Sequence, residues 1–147
     1  IHSLGATRSP EEMMAGIMAD VEGSLTAKQD GFLECMAETA KAVSDYVNGK
    51  VNDGQPHIVY INILNNLSRD CDCSATPESP CMADMGIMAS TDPVALDQAS
   101  LDMVKNSTDP GHDSFMERVN DQNGEYILEY AEQIGLGNRD YELVTLD

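Results

Sequence analysis

His57-Ile58-Val59-Tyr60-Ile61-Asn62-Ile63-Leu64 is the stretch whose reading decides the fold. β-branched residues dominate it, and apolar side chains fall on both alternating sets, the pattern of a strand covered on both faces. The turn Asn52-Asp53-Gly54-Gln55-Pro56 leads into it. Before that turn stands a helix from Asp30 to Asn48. Its Leu33, Met36, Ala37, Ala40, Val43 and Val47 recur at steps of three and four, and Gly49 is its stop. Upstream, Ser9-Pro10-Glu11-Glu12 reads as the cap and first turn of another helix near 10–21, which Gly23 and Ser24 interrupt.

Downstream, residues 65–83 show no period and hold two prolines and three of the four cysteines. An irregular stretch of that length is functional or disordered more often than not. A short strand, Met85 to Ala89, follows. Ser90-Thr91-Asp92-Pro93 then marks a helix start with Asp92 as cap, and that helix runs to about Val104. A turn over 106–111, a short helix near 113–119 and a helix from Gly124 to Ile134 come next. Gly135-Leu136-Gly137 ends the last of these, and Tyr141 to Leu146 reads as a final strand. The order ααβ-loop-βααβ places the chain in the α/β class, a small mainly parallel or mixed sheet flanked by helices. Residues 1–147 make a single domain or a fragment of a larger one. The opening at Ile1, without methionine or a basic-then-apolar leader, favours the fragment.

Eight basic against 26 acidic side chains give a net charge of −18. Such a chain is repelled by phosphate backbones and anionic lipid, which argues against nucleic acid and membrane surfaces as partners. No apolar run approaches the roughly 20 residues of a spanning helix. The acids are uneven, 9 against 4 bases over residues 1–56 and 17 against 4 over 57–147. Most of them read as a solvated surface. Four cysteines are too sparse for a disulfide scaffold, so a reducing compartment, the cytoplasm, is the expected location. Nucleotide-binding glycine patterns, a serine elbow and a His-Glu-x-x-His pair are all missing from the sequence. Nothing in it sets the oligomeric state.

Asp70-Cys71-Asp72-Cys73, with seven residues before Cys81, is the feature whose residue types carry chemistry. Thiolates are the soft ligands that zinc, copper(I) and iron–sulfur centres select, and Cys71, Cys73 and Cys81 on one loop could close around a metal. Cys35, His57, His112 or a neighbouring aspartate could complete the set. The spacing departs from the usual Cys-x₂₋₄-Cys pairs, so redox thiols and structural thiols stand as alternatives. If the first two strands are parallel, Cys71 shares a sheet edge with the Pro93 helix start and Cys81 is remote. If they are antiparallel, all three cysteines share one edge and that helix starts at the other. The 19-residue connection and the buried look of the first strand favour parallel. Asp97 falls between Leu101 and Val104 in an apolar stripe that includes Val94, where a carboxylate must find donors. The methionines read as core filler.

Several segments in order resemble domain-of-unknown-function family 362. They are HIVYINIL, Asp70-Cys71-Asp72-Cys73, Ala83-Asp84-Met85-Gly86-Ile87-Met88-Ala89-Ser90, Asp92-Pro93-Val94-Ala95-Leu96-Asp97-Gln98-Ala99-Ser100, and the tail from Glu129 through Gly135-Leu136-Gly137 to Leu143. The likeness spans about Phe32 to Asp147 and leaves residues 1–31 outside. Members of the family are longer, and many carry a bacterial-type ferredoxin insertion that binds [4Fe–4S] clusters. This chain has no Cys-x₂-Cys-x₂-Cys run, and Ser74 stands where many relatives have a further cysteine. The resemblance implies part of an iron–sulfur-associated protein with Cys71 and Cys73 as its functional positions. The expectation is therefore a metal-binding, redox-type domain. Cys71, Cys73 and Cys81 are its ligands, and Asp70, Asp72 and Asp97 orient them. An iron–sulfur cluster or zinc would be the cofactor, and a ferredoxin-like domain or other redox protein the partner. The alternative is a noncatalytic module whose acidic surface docks a basic partner. An enzyme binding a small molecule at the Pro93 helix start is a third reading.

Overall fold

Helix α1 occupies Glu22–Gly49, 28 residues without interruption. In the computed structural model of the chain, residues 22–51, 53–69 and 78–146 are described, with side chains from residue 29 onward. The helix expected near 10–21 lies outside them. The break expected at Gly23 and Ser24 is absent, because α1 runs through both and through Gly31. A glycine inside a helix costs only about 1 kcal/mol relative to alanine, which a long helix tolerates.

Strands β1 (Tyr60–Leu64) and β2 (Gly86–Ser90) pair antiparallel, with Tyr60 opposite Ser90, Asn62 opposite Met88 and Leu64 opposite Gly86. This corrects the parallel expectation. The connection between them is no crossover, because its two arms hydrogen-bond to each other at the end where β1 stops and β2 starts. Helices α2 (Pro93–Lys105), α3 (His112–Asp121) and α4 (Tyr126–Gln133) follow. The architecture is thus mixed α/β, four helices with one two-stranded sheet among the described residues.

Helix α2 is the centre of the molecule. One side of it covers the sheet, and its Val94, only 2% exposed, packs on Ala37 of α1 and Ala131 of α4. A second cluster joins Leu64, Met82 and Val104, filled in by Met85, Met88, Met103 and Met116. Flexible thioethers suit such an irregular gap. Tyr60, Asn62 and Leu64 face α2, whereas Ile61 and Ile63 are 60% and 65% exposed. The expectation of cover on both faces of β1 is therefore corrected, since the outer face of the sheet is bare.

Helix α4 ends as its glycines dictate. Gly135, at φ 75°, donates to the Glu132 carbonyl, and the Leu136 amide reaches back to Ala131 at 2.9 Å. This is a left-handed cap that drives Leu136 into the core. Residues 141–146 form no strand, contrary to the sequence reading, and hydrogen-bond to neither strand. Tyr141 is held instead by its phenol, which donates to Asp102 Oδ2 at 3.0 Å. Among the described residues no helix is long and apolar enough to cross a membrane.

Candidate functional site

The irregular loop between the strands is tied at a neck. The amides of Cys81 and Met82 both donate to the Leu67 carbonyl, at 2.8 and 3.2 Å, and the Met85 amide donates to Leu64 at 2.8 Å. Asp84 clamps the outgoing arm from the returning one. Its Oδ1 accepts from the Asn66 amide at 2.9 Å and its Oδ2 from Asn65 Nδ2 at 2.7 Å. Asn66 turns the chain at φ 52°, a left-handed conformation that asparagine tolerates. Arg69 on the outgoing arm pairs with Glu117 of α3 at 3.1 Å.

The turn between α2 and α3 holds the neck from behind. Asp109 accepts from the Gly111 amide at 2.8 Å and the Ala83 amide at 3.0 Å. These two donors hold its carboxyl below the usual value of 3.8, the Gly111 bond contributing most. Gly111 lies so close to the neck that a β-carbon there would stand 1.7 Å from the Cys81 carbonyl oxygen.

Cys81 thus sits at the neck, half-buried, its Sγ donating to the Leu67 carbonyl at 3.4 Å among Met82, Met85 and Phe115. Asp70, Cys71, Asp72 and Cys73 lie outside the described residues. Of the side chains named to complete a metal set, His112 is the one beside the neck, next to Gly111, with its Nδ1 2.8 Å from Asp113. Cys35 lies on α1 beside Tyr130, and His57 pairs with Asp53 at 2.8 Å near the end of α1. Among the described residues no three histidine, cysteine or carboxylate groups converge as metal ligands.

Asp97 is elsewhere. Its side chain is exposed, and Oδ1 accepts from Asn62 Nδ2 at 2.7 Å, with Ser100 Oγ 2.9 Å from the same amide. The donor that its position demanded comes from the middle of β1.

The amino-terminal end of α2 is fully satisfied. Asp92 Oδ1 accepts from Val94 and Ala95 at 2.9 and 3.0 Å, the Leu96 amide bonds the Asp92 carbonyl, and Pro93 has no amide hydrogen. Asp92 is the cap that the sequence announced. Its Oδ2 also accepts from the Asn138 amide at 2.9 Å, and a β-carbon on Gly137 would stand 2.0 Å from Oδ1. No amide at this helix start is left to hold an anionic ligand.

Sequence reasoning missed a polar cavity of about 550 Å³ beside α2, lined by Gln98, Asp102, Glu132, Arg139, Asp140 and Tyr141. Arg139 Nε donates to Gln98 Oε1 and Gln98 Nε2 to Asp102 Oδ1, both at 2.8 Å, while the Arg139 amide bonds Glu132. Gln98 is only 7% exposed, and its amide is paired at both ends. One signal was available, a glutamine inside the buried arc of a helix, which obliges polar partners nearby.

No curated protein and no solved structure matches the chain. A family model does, from residue 2 to residue 102, so the match takes in residues 2–31, which the sequence resemblance left aside, and ends within α2. The chain belongs to the family described as "Domain of unknown function (DUF362)".

Proposed function

We propose that this chain is a thiol-ligand domain of redox type, in which Cys71 and Cys73 bind an iron–sulfur cluster or zinc and Cys81 assists from the neck. One observation carries the reading. The Cys81 amide is bonded to Leu67 at 2.8 Å, so the loop bearing Asp70-Cys71-Asp72-Cys73 leaves and re-enters the fold at one point. Cys71 is four positions beyond Leu67, a covalent reach of about 14 Å. That reach would allow Cys71 to meet Cys81. Asp70 and Asp72 would orient the thiolates, and the exposed Asp97, bonded to Asn62, has no described contact with the neck.

The donors suit a soft metal, three thiols with His112 at hand. An iron–sulfur centre would supply one-electron exchange with a ferredoxin-like partner, whereas zinc would only hold the loop. The chain's own part is to fix the loop ends, to keep one sulfur among apolar neighbours, and to bring carboxylates beside the cysteines. A reducing compartment such as the cytoplasm fits such thiols.

Elemental analysis of anaerobically purified protein tests the reading. About one metal ion or cluster per chain is expected, lost in Cys71→Ser and Cys73→Ser and weakened in Cys81→Ser. Metal-free protein with four freely titrating thiols overturns it.

A second reading, the noncatalytic module docking a basic partner, has one observation in its favour. The outer sheet face is apolar and bare, with Ile87 70% exposed beside Ile61 and Ile63, in a chain of net charge −18.

A further inference from the structure

A cavity of about 220 Å³ opens between α1, the start of α2 and α4. Its floor is apolar and buried, made by Ala37 of α1, Val94 of α2, and Leu128 and Ala131 of α4. Its mouth is exposed, at Met36, Ala40 and Asp97. Among the described residues that line it, Asp97 alone is charged. Asp97 Oδ1 accepts from Asn62 at 2.7 Å, and Oδ2 has no partner among the described residues. The volume lies below the roughly 300 Å³ at which drug-sized pockets begin. An apolar cavity of about 150 Å³ nevertheless admits benzene, so one ring fits here with a short arm.

We infer that this cavity binds a small organic monocation, a single apolar ring that carries an ammonium group on a short arm. The ring displaces water from the apolar floor, and the ammonium stands at the mouth against Asp97 Oδ2. One carboxylate is too small a ligand set for a metal ion. An ammonium needs a single counter-charge, and its remaining hydrogens stay in the water at the mouth.

An anion is the poorer ligand. Pro93 has no amide hydrogen, and the amides of Val94 and Ala95 are spent on Asp92. A neutral ring gains the apolar contact but nothing from the carboxylate. The charge of −18 draws every cation toward the chain, but salt screens that general attraction beyond about 8 Å and leaves a close pair at Asp97. The site shares no residue with the cysteine loop, so it stands or falls independently of the thiol ligands.

Methyl NMR of the full chain, titrated with benzylamine at about 0.15 M salt, tests this. A ligand of about eight non-hydrogen atoms should half-saturate at about 1 mM and move the methyl signals of Val94, Ile127 and Leu128. Benzyl alcohol, the same ring without the charge, should bind about fivefold more weakly, and phenylacetate, with the opposite charge, more weakly still. Asp97→Asn keeps an acceptor for Asn62 and should bring benzylamine down to the affinity of the alcohol. Ala40→Leu sets a larger side chain in the mouth and should abolish binding of both. No saturable shift of those methyls below about 20 mM overturns the inference, as do equal affinities for amine and alcohol in the parent chain. An unchanged preference in Asp97→Asn overturns it too, and so does benzylamine binding that survives in Ala40→Leu. Should Ala40→Leu fail to fold, nuclear Overhauser contacts between the benzylamine ring and the Leu128 and Ala131 methyls of the parent chain decide, their presence supporting the site and their absence refuting it.

Discussion

Gly111→Ala is the sharpest probe of the neck. The new methyl carbon would lie 1.7 Å from the Cys81 carbonyl oxygen and 2.5 Å from its carbon, whereas ordinary contact begins at 3.4 Å. The separation must double, and both of the nearest atoms are backbone, so no rotamer change relieves the clash. Either the α2–α3 turn or the returning arm moves. If the arm moves, the 2.8 Å bond from Cys81 to Leu67 and the 3.2 Å bond from Met82 both open. Overpacking costs about 1–3 kcal/mol, and each lost backbone bond about 1 kcal/mol. The expected destabilisation is therefore about 3–5 kcal/mol, a large share of the ~5–15 kcal/mol that a domain has. Urea unfolding gives the total, and hydrogen exchange at the Cys81 and Met82 amides shows whether the neck is where it falls. A midpoint equal to that of the parent chain, with those two amides still protected, would refute the reasoning.

Gly31→Ala is the opposite case, a helical glycine with nothing within 4 Å of the added carbon, and should raise stability by about 1 kcal/mol in the same urea titration. Asp92→Ala removes the acceptor of three amides and should cost about 2 kcal/mol, with Asn138 losing its protection from exchange together with Val94 and Ala95. The Tyr126 phenol, whose bond to Glu34 spans 2.6 Å, has its pKa pushed up to about 12. The bond stabilises the α1–α4 contact fully below pH 10, that stabilisation fades as pH rises from 10 to 12, and Tyr126→Phe should make the alkaline limb of a stability-against-pH curve shallower, leaving the share of Tyr130 and Tyr141, whose phenols are also raised. Asp109, held below 3.8, contributes fully above that pH and loses its contribution as pH falls through its lower native value. Asp109→Asn should accordingly flatten the acid limb below pH 3.8, read by the same titration.

The elements that sequence made legible are those with local chemistry. Asp92-Pro93 marks a helix start because a carboxylate and a missing amide hydrogen solve the end of a helix by themselves, whatever lies around it. Gly135 marks a helix stop for a matching reason, a left-handed turn that other residues resist. Strand pairing had no such local signature. HIVYINIL reads as covered on both faces because its apolar residues occupy both parities, yet only Tyr60, Asn62 and Leu64 meet α2. Direction was settled by Leu67 and Cys81, fourteen positions apart, whose bond no period announces. Tyr141 to Leu146 has strand composition, but composition supplies no partner edge, and the phenol of Tyr141 finds Asp102 first. Of the candidate site, the cysteine loop was legible as a loop and Cys81 as a member of it. The contribution of Asp109 and Gly111 was not, since their importance comes from a contact with the Cys81 carbonyl and the Ala83 amide across 26 or more positions of chain.

The neck and the α2 cap share one construction, and that shapes what each can do. In both, a carboxylate takes backbone amides from two separate segments, Asp109 from Gly111 and Ala83, Asp92 from α2 and Asn138. In both, a glycine at the junction, Gly111 or Gly137, leaves no room for a side chain. At the cap every donor is consumed, so that end of α2 is a joint. At the neck the bonds are made by main-chain groups and by Asp84 and Asp109, and among the described residues the one thiol present, that of Cys81, is engaged only by a 3.4 Å bond to a carbonyl. A sulfur–carbonyl contact is weak beside a metal–thiolate bond. The main-chain ties hold the loop ends without drawing on the sulfur, so in the proposed site Cys81 would exchange Leu67 for a metal while the neck stays closed.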